Sequence, residues 1–311
     1  MKPHHTWAGV AVLLLVAPAR SAEPRAGHAD NVYAVALSPD GKRFVSASED
    51  NTAILWSLDK LSYSKTFTLT VPIYDIAYMP DGKQAVTSDG DGKVIVWDLA
   101  GGKAVQTLTG LKGPAYSVAV AVDGKLIAAG GGEDDPTVRV WDTATGKEAF
   151  KFAGHTKPVY GVAFHPKAAV LASSSSDGTV RLWSLNGGKR RELKGHTSHV
   201  YRCVFSPDGK LLATAGHDKT VRVWDTAKGE VMAVLSGAKD PVYTVAFSAD
   251  GKWLAAGGED RNVRCWSVPD FKPSDPLPVP GRKPVYAVVF LPNGTQLLAA
   301  CGDHKIHRVG K

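Results

Sequence analysis

Three sets of histidine, hydroxyl and aspartate residues recur along the chain at matching spacings. They are His28, Ser46 and Asp50; His155, Ser173 and Asp177; and His196, Thr214 and Asp218. These residue types are those of a Ser-His-Asp triad, in which a histidine base activates a hydroxyl nucleophile. A triad requires one exposed nucleophile beside an oxyanion hole. Three copies in register therefore argue against a catalytic role for any of them.

Other motifs for catalysis or metal binding are absent from the sequence. There is no HExxH, no Gly-x-Ser-x-Gly and no complete phosphate-binding loop. Cys203, Cys265 and Cys301 are widely spaced and each lies in an apolar run, so buried thiols are expected. No CxxC motif and no Cys/His pair has the spacing of metal ligands. The sequence therefore predicts no metal site, no cofactor and no enzyme.

Charged residues give no sign of a nucleic-acid partner. The net charge is +7 and the basic residues are dispersed. Four arginines share one register in consecutive units: Arg139, Arg181, Arg222 and Arg264. Pairing with nearby carboxylates is favoured for them over a basic sector. The acidic stretch 133–135 is expected to be an exposed loop.

A repeat organises the chain from residue 27 onward. Six tryptophans recur 41 to 44 residues apart, at Trp56, Trp97, Trp141, Trp183, Trp224 and Trp266, and Val309 occupies this register in a seventh unit. An aspartate precedes each of these positions by six residues, namely Asp50, Asp91, Asp135, Asp177, Asp218, Asp260 and Asp303. A period of this length indicates a repeat protein with seven structural units.

Each unit contains short apolar runs separated by turn residues. In the fifth unit the runs are 200–205, 211–215 and 221–225, and a Pro-Asp-Gly-Lys turn follows the first of them. The glycine supplies the positive φ of a tight hairpin. A fourth run follows each tryptophan, so every unit is predicted to be a four-stranded antiparallel sheet. Most runs are apolar on both faces, which indicates an all-β protein whose sheets pack face to face in a ring.

These positions resemble the WD40-repeat family. Units end in Trp-Asp at residues 97–98, 141–142 and 224–225, and begin with Gly-His at 27–28, 154–155 and 195–196. The resemblance covers about nine tenths of the chain. It implies a seven-bladed β-propeller formed by residues 23–311, with repeats that end near residues 56, 97, 141, 183, 224, 266 and 309.

The resemblance also reassigns the triad-like residues. In WD40 proteins these positions form buried hydrogen-bonded tetrads, which here would be His28, Ser46, Asp50 and Trp56; His155, Ser173, Asp177 and Trp183; and His196, Thr214, Asp218 and Trp224. The second, third, sixth and seventh units lack the histidine. The seventh unit also ends without a fourth strand, and residues 19–26 are the only candidate to supply it. We therefore expect a weakly closed ring with an incomplete last blade, or one closed by the N-terminus.

Seven of the nine tyrosines stand at one register of the first strand: Tyr33, Tyr74, Tyr116, Tyr160, Tyr201, Tyr243 and Tyr286. In the WD40 family the first strand is innermost, so the resemblance implies a ring of phenols around the central channel. Tyrosine offers a large rigid contact area with a polar tip. The ring is therefore a candidate partner-binding surface. The alternative is a packing role, with each ring between blades and its hydroxyl on a loop carbonyl.

The favoured function is a non-catalytic scaffold, a monomeric propeller that binds a protein or peptide on the tyrosine-lined face. Two alternatives belong to other classes. A small ligand such as a carbohydrate would require polar groups that converge below the tyrosines. A propeller enzyme would require a convergent set of His, Asp and Glu residues on the channel, and the histidines show no such period.

The first 22 residues differ from the rest of the chain. A short polar front with Lys2 precedes the apolar run 7–16, and small residues follow at a potential cleavage site within 19–23. This pattern is typical of a secretory signal peptide, and the run is too short to span a bilayer. We expect an exported protein, periplasmic or extracellular, with no membrane span in the mature chain. A cytoplasmic protein with an intact N-terminus is the alternative.

Overall fold

The computed structural model describes residues 27–188 and 191–310, and over these residues it contains strands and turns but no helix. Six sheets have four antiparallel strands in sequential order and the seventh has three. The prediction of an all-β protein with seven blades is confirmed, and over the described residues the last blade has three strands. The expected signal peptide, 1–22, and the candidate closing segment, 19–26, lie outside the described residues.

The strands follow the repeat. Blade 1 comprises β1 (Val32–Leu37), β2 (Arg43–Ser48), β3 (Thr52–Ser57) and β4 (Ser62–Thr68). Blade 2 comprises β5 (Ile73–Tyr78), β6 (Gln84–Asp89), β7 (Val94–Asp98) and β8 (Lys103–Leu108). Blade 3 comprises β9 (Ala115–Val120), β10 (Leu126–Gly131), β11 (Val138–Asp142) and β12 (Glu148–Phe152). Blade 4 comprises β13 (Val159–Phe164), β14 (Val170–Ser175), β15 (Val180–Ser184) and β16 (Arg191–Leu193).

The remaining blades differ in their last strand. Blade 5 comprises β17 (Val200–Phe205), β18 (Leu211–Gly216), β19 (Val221–Asp225) and β20 (Val231–Leu235). Blade 6 comprises β21 (Val242–Phe247), β22 (Trp253–Gly258), β23 (Asn262–Ser267) and the two-residue β24 (Leu277–Pro278). Blade 7 comprises β25 (Val285–Phe290), β26 (Gln296–Cys301) and β27 (Ile306–Gly310).

The turn between the first two strands of a blade explains the recurring Asp-Gly pair. In blade 1, Asp40 Oδ1 accepts hydrogen bonds from Lys42 N at 3.0 Å and from Ser38 Oγ at 2.6 Å. Gly41 follows with a φ of 67°, a conformation that residues with a Cβ adopt at a cost. These contacts fix a short hairpin, and thereby the register of the inner strand against its neighbour.

The first strands of the seven blades form a closed inner ring. Each of them contacts the first strands of both neighbouring blades, and β25 contacts β1 to complete the circle. Hydrophobic clusters fill the spaces between successive blades. Trp183, for example, stacks on Phe152 of the preceding blade with ring centroids 5.1 Å apart. Because the cores lie between blades, each blade depends on its neighbours for burial.

Closure between blades 7 and 1 uses the same type of packing. Trp56 and Phe44 of blade 1 share a buried cluster with Leu291 and Leu298 of blade 7. Arg308 Nη2 also donates a hydrogen bond to Leu58 O at 3.0 Å. These contacts join the first and last blades through the described residues, without a fourth strand in blade 7.

Candidate functional site

The triad-like residues of blade 1 form a buried chain of hydrogen bonds. His28 Nδ1 lies 3.0 Å from Asp50 Oδ2, and His28 Nε2 lies 2.7 Å from Ser46 Oγ. Because a carboxylate only accepts, Nδ1 donates and Nε2 accepts the Ser46 hydroxyl hydrogen. Trp56 Nε1 donates to Ser46 Oγ at 2.8 Å. Ser46 is fully buried, so its hydroxyl cannot reach a substrate.

Blades 4 and 5 repeat this arrangement. In blade 4 the distance from His155 Nδ1 to Asp177 Oδ2 is 2.8 Å, and Ser173 Oγ lies 2.7 Å from His155 Nε2 and 2.8 Å from Trp183 Nε1. In blade 5 the corresponding distances for His196, Asp218, Thr214 and Trp224 are 2.9, 2.8 and 2.9 Å. The structure therefore brings together all twelve residues in three sets of four.

The environment of the tetrads shifts their ionisation. Burial lowers the pKa of His28, although Asp50 opposes that shift. Burial acts to raise the pKa of Asp177, but hydrogen bonds from His155 and Thr179 outweigh it and hold this pKa well below its ordinary value. A neutral imidazole between a carboxylate and a hydroxyl satisfies every buried polar group of the set.

Blades 2 and 3, which lack a tetrad, hold the repeated tryptophan by other hydrogen bonds. Trp97 Nε1 donates to Thr87 Oγ1 at 2.9 Å, and Trp141 Nε1 donates to Thr109 O at 3.1 Å. The arginines of the shared register pair with local carboxylates: Arg139 with Asp135 at 2.9 Å, Arg181 with Glu192 at 2.8 Å, Arg222 with Asp218 at 3.9 Å and Arg264 with Asp260 at 2.7 Å. The described arginines of this register therefore form no unpaired basic sector.

One local prediction is wrong. Residues 133–135 were expected to form an exposed loop, but only Glu133 and Asp134 are exposed. Asp135 is buried because it occupies the repeated aspartate position, six residues before Trp141. There Arg139 and Thr137 donate hydrogen bonds to it. In this longer repeat Glu133 and Asp134 lie at the surface and Asp135 lies inside.

The seven tyrosines form a closed ring, which we call the tyrosine ring. Neighbouring ring centroids lie 5.1 to 5.8 Å apart around the whole circle, including the step from Tyr286 to Tyr33 at 5.3 Å. Each tyrosine thus contacts two others, and all seven are half-buried. The β-bulge between the first two strands of a blade, seen for example between Val32 and Ala34, falls at the tyrosine position. A bulge of this kind redirects a side chain from the pleat.

The hydroxyls of the tyrosine ring have unequal surroundings. Tyr33 and Tyr243 donate to the carboxylates of Glu49 and Glu259 at 2.6 and 2.9 Å. Burial first, and then these carboxylates, raise the pKa of both phenols. The other five hydroxyls make no hydrogen bond to another described residue. They belong to Tyr74, Tyr116, Tyr160, Tyr201 and Tyr286.

The surroundings of each hydroxyl depend on the residue sixteen positions after the tyrosine. Its seven occupants are Glu49, Gly90, Gly132, Ser176, His217, Glu259 and Gly302. On blade 5, His217 and His199 lie beside Tyr201, with ring centroids 6.2 and 6.3 Å from it. The rim is therefore acidic at blades 1 and 6 and carries imidazoles at blade 5. The sequence contains this signal, because these seven residues share one register, but the predicted binding surface comprised only the tyrosines.

A salt bridge crosses the channel directly beneath the tyrosine ring. Arg202 Nη1 on blade 5 lies 2.7 Å from Asp75 Oδ2 on blade 2. Asp75 is buried, and it also accepts hydrogen bonds from Val118 N at 3.1 Å and Ile76 N at 2.9 Å. The two residues are 127 positions apart in the chain, so no local sequence pattern could predict that they meet.

The channel itself is mostly apolar. Its cavity measures about 600 Å³ and is lined by alanine, valine and aromatic residues from the inner strands. Arg202 is the only charged residue in that lining within the described chain. Besides the tyrosines, Arg202 and its bridge to Asp75, the polar side chains of that lining are Ser206, Thr244 and Ser248.

The three cysteines are buried thiols in the described structure. Burial raises the pKa of Cys203 to about 11. Cys301, however, lies close to two other residues that can bind metal ions, Asp303 and His307. Sequence spacing alone gave no sign of this group, since these residues are joined by a turn between β26 and β27.

Two family models match the chain. The model described as the IFT122 first beta-propeller matches residues 72–222. The model described as WD domain, G-beta repeat, matches residues 23–57, 229–267 and 277–307. Together the matched segments run through all seven blades. No curated protein matches the chain.

Proposed function

The chain belongs to the WD40-repeat family and folds as a seven-bladed β-propeller, and we propose that it is a non-catalytic scaffold that binds a protein or peptide across the tyrosine ring. The observation that carries this proposal is the ring itself. Seven half-exposed phenols form one continuous surface, and five of their hydroxyls make no hydrogen bond to another described residue. Tyrosine in that state is typical of binding surfaces.

The rim supports a single orientation of the bound partner. Glu49 and Glu259 stand on blades 1 and 6 and His217 on the adjacent blade 5, so the charge pattern does not follow the seven-fold repeat. Complementary charges on a partner fix its register more than they add to its affinity. A partner would therefore contact unequal blades, with the carboxylates and imidazoles as orienting groups.

The geometry favours this function over the two alternatives. A carbohydrate site would need several converging polar groups, whereas the channel lining around Arg202 is mostly alanine, valine and other apolar residues. Catalysis by the triad-like residues would need an accessible nucleophile, whereas the hydroxyls of Ser46, Ser173 and Thr214 are fully buried and engaged by indole N–H groups.

We also propose that the mature protein is exported after removal of residues 1–22, since the apolar run 7–16 is followed by small residues. Within the described residues there is no helix of the length and apolarity needed to cross a membrane. Intact-mass measurement of the protein from its host tests the export proposal. A start between residues 20 and 23 supports it, whereas a start at Met1 or Lys2 contradicts it.

Site-specific photo-crosslinking in the native host tests the binding face. A photoreactive phenylalanine replaces Tyr160 in the ring or, as a control, the exposed Tyr63 on β4. We expect the same protein to be cross-linked from position 160 and from a second ring position such as 116, and not from position 63. Equal cross-linking from position 63, or none from the ring, would contradict the proposal.

A further inference from the structure

Blade 7 has lost its tetrad but kept the aspartate. The positions that hold histidine, hydroxyl, aspartate and tryptophan in blades 1, 4 and 5 are here Gly281, Ala299, Asp303 and Val309. Asp303 therefore lacks the histidine, hydroxyl and tryptophan of the tetrads that satisfy its counterparts. Asp303 is only partly buried, but a carboxylate oxygen that is buried without a partner calls for another explanation.

Two potential metal ligands lie beside Asp303. The ligand atoms of Cys301, Asp303 and His307 all lie within 4.8 Å of one another. His307 Nε2 is 2.7 Å from Asp303 Oδ2. The side chains of Cys301 and His307 are almost wholly buried, and Cys301 N donates to Lys305 O to hold the turn between them. A turn and two adjacent strands thus gather three different ligand types.

One oxygen of Asp303 is buried and has no hydrogen-bond partner. In blades 1, 4 and 5 the equivalent oxygen accepts a hydrogen bond from a threonine hydroxyl two residues later, at Thr52, Thr179 and Thr220. Blade 7 has Lys305 at this position, which supplies no hydroxyl. A buried unpaired carboxylate oxygen is costly unless a cation or donor reaches it.

Blade 6 shows how an ion pair alone can engage both oxygens of the equivalent aspartate. There Arg264 donates to Asp260 Oδ1 at 3.0 Å and lies 2.7 Å from Asp260 Oδ2, so both oxygens are engaged. His307 occupies the arginine position in blade 7 and reaches one oxygen only. Blade 7 thus has a histidine where blade 6 has an arginine, and one oxygen of its aspartate is left without a partner. It also has a cysteine at the end of β26.

We propose that Cys301, Asp303 and His307 bind one transition-metal ion of the Zn²⁺ class. Thiolate, imidazole and carboxylate are the ligands that Zn²⁺ takes in proteins. Three protein ligands leave a fourth position for water or another ligand. The ion would engage the orphan oxygen of Asp303 and tie β26 to β27 in the one blade that lacks a fourth strand in the described chain.

Titration of the metal-depleted full chain with Co²⁺ tests this site, because Co²⁺ bound to a thiolate gives a charge-transfer absorption band. We expect one Co²⁺ per chain with that band, and its displacement by Zn²⁺. Cys301→Ala and His307→Gln should lose the band. The matched controls Cys203→Ala, in blade 5, and His304→Asn, in the same turn, should keep it.

Two outcomes would overturn the proposal. One is the absence of a thiolate band in the wild-type protein. The other is a band that survives Cys301→Ala or His307→Gln in variants whose circular dichroism matches the wild type. Should either of these variants fail to fold, Asp303→Asn provides a substitution of equal size, and a retained stoichiometry of one with an unchanged band in that variant would equally contradict the site.

Discussion

The tetrads and the tyrosine ring both recur through the repeat, yet their polar groups are in opposite states. In the tetrads each histidine nitrogen, hydroxyl and indole N–H has a partner within 3.0 Å, and the hydroxyls are fully buried. In the ring, by contrast, five of the seven hydroxyls make no hydrogen bond to another described residue, and the rings touch one another. Saturated buried groups stabilise a fold, whereas unsaturated exposed ones are available to a partner. We therefore expect substitutions in the tetrads to reduce stability and substitutions in the tyrosine ring to reduce binding.

The largest loss of stability is expected from the tetrad aspartate. Asp218→Ala leaves His196 Nδ1–H, Thr220 Oγ1–H and Thr197 N without their acceptor. The loss of three hydrogen bonds, two of them part-buried, should lower the free energy of unfolding by about 3 kcal/mol. Urea unfolding measures the loss.

Asp91 supplies the matched control, because it holds the same register in blade 2 but is exposed and paired only with Lys93. Asp91→Ala should change the free energy of unfolding by less than about 0.5 kcal/mol. Equal losses at the two positions would show that the tetrad does not stabilise its blade.

The channel salt bridge should have the next largest effect. Arg202→Met leaves the buried Asp75 without its cation, and we expect a loss of about 2 kcal/mol. This is below the usual cost for a buried pair because Arg202 is 34% exposed and Asp75 keeps two backbone donors. Ser117 holds the same register, and its buried hydroxyl lacks a hydrogen-bond partner. Ser117→Ala should therefore be neutral in urea unfolding, and a loss as large as that of Arg202→Met would refute the role of the bridge.

Ring variants should affect binding more than stability. Tyr160→Ala removes two aromatic contacts, for about 1–2 kcal/mol of unfolding free energy. Binding of the cross-linked partner should weaken at least about tenfold, as at a binding hot spot. Tyr160→Phe keeps both contacts and should leave the unfolding midpoint unchanged. Calorimetric titration separates the two effects, and unaltered affinity for Tyr160→Ala would leave the ring with a packing role only.

The repeat predicted the blades and tetrads because each rests on contacts at fixed spacing within one unit. His196 and Asp218, for example, are 22 residues apart, as are their counterparts in blades 1 and 4. The Arg202–Asp75 bridge and the group around Cys301 were not predicted. The first joins distant blades across the channel, and the second depends on changes in a single copy. Periodicity reports what the copies share, so features that distinguish one copy require the three-dimensional structure.

The smallest effects are those of pH, and they have opposite signs in the two regions. The folded-state pKa of Asp177 lies below its ordinary value of 3.8, so its contribution to stability is full above that pH and is lost as pH falls below it. The folded-state pKa of Tyr33 lies above its ordinary value of 10.0, so the folded state retains that proton and stability is lost as pH rises above 10.

Urea midpoints measured from pH 3 to 11 should therefore decline at both ends. Asp177→Asn should lessen the acid decline and leave the alkaline one unchanged; it should not abolish the acid decline, because Asp50 and Asp218 also have lowered pKa values. Glu49→Gln should lessen the alkaline decline without abolishing it, because burial is the larger cause of the raised Tyr33 pKa and persists in that variant. An alkaline decline unaffected by Glu49→Gln would mean that the carboxylate does not hold the Tyr33 hydroxyl in solution.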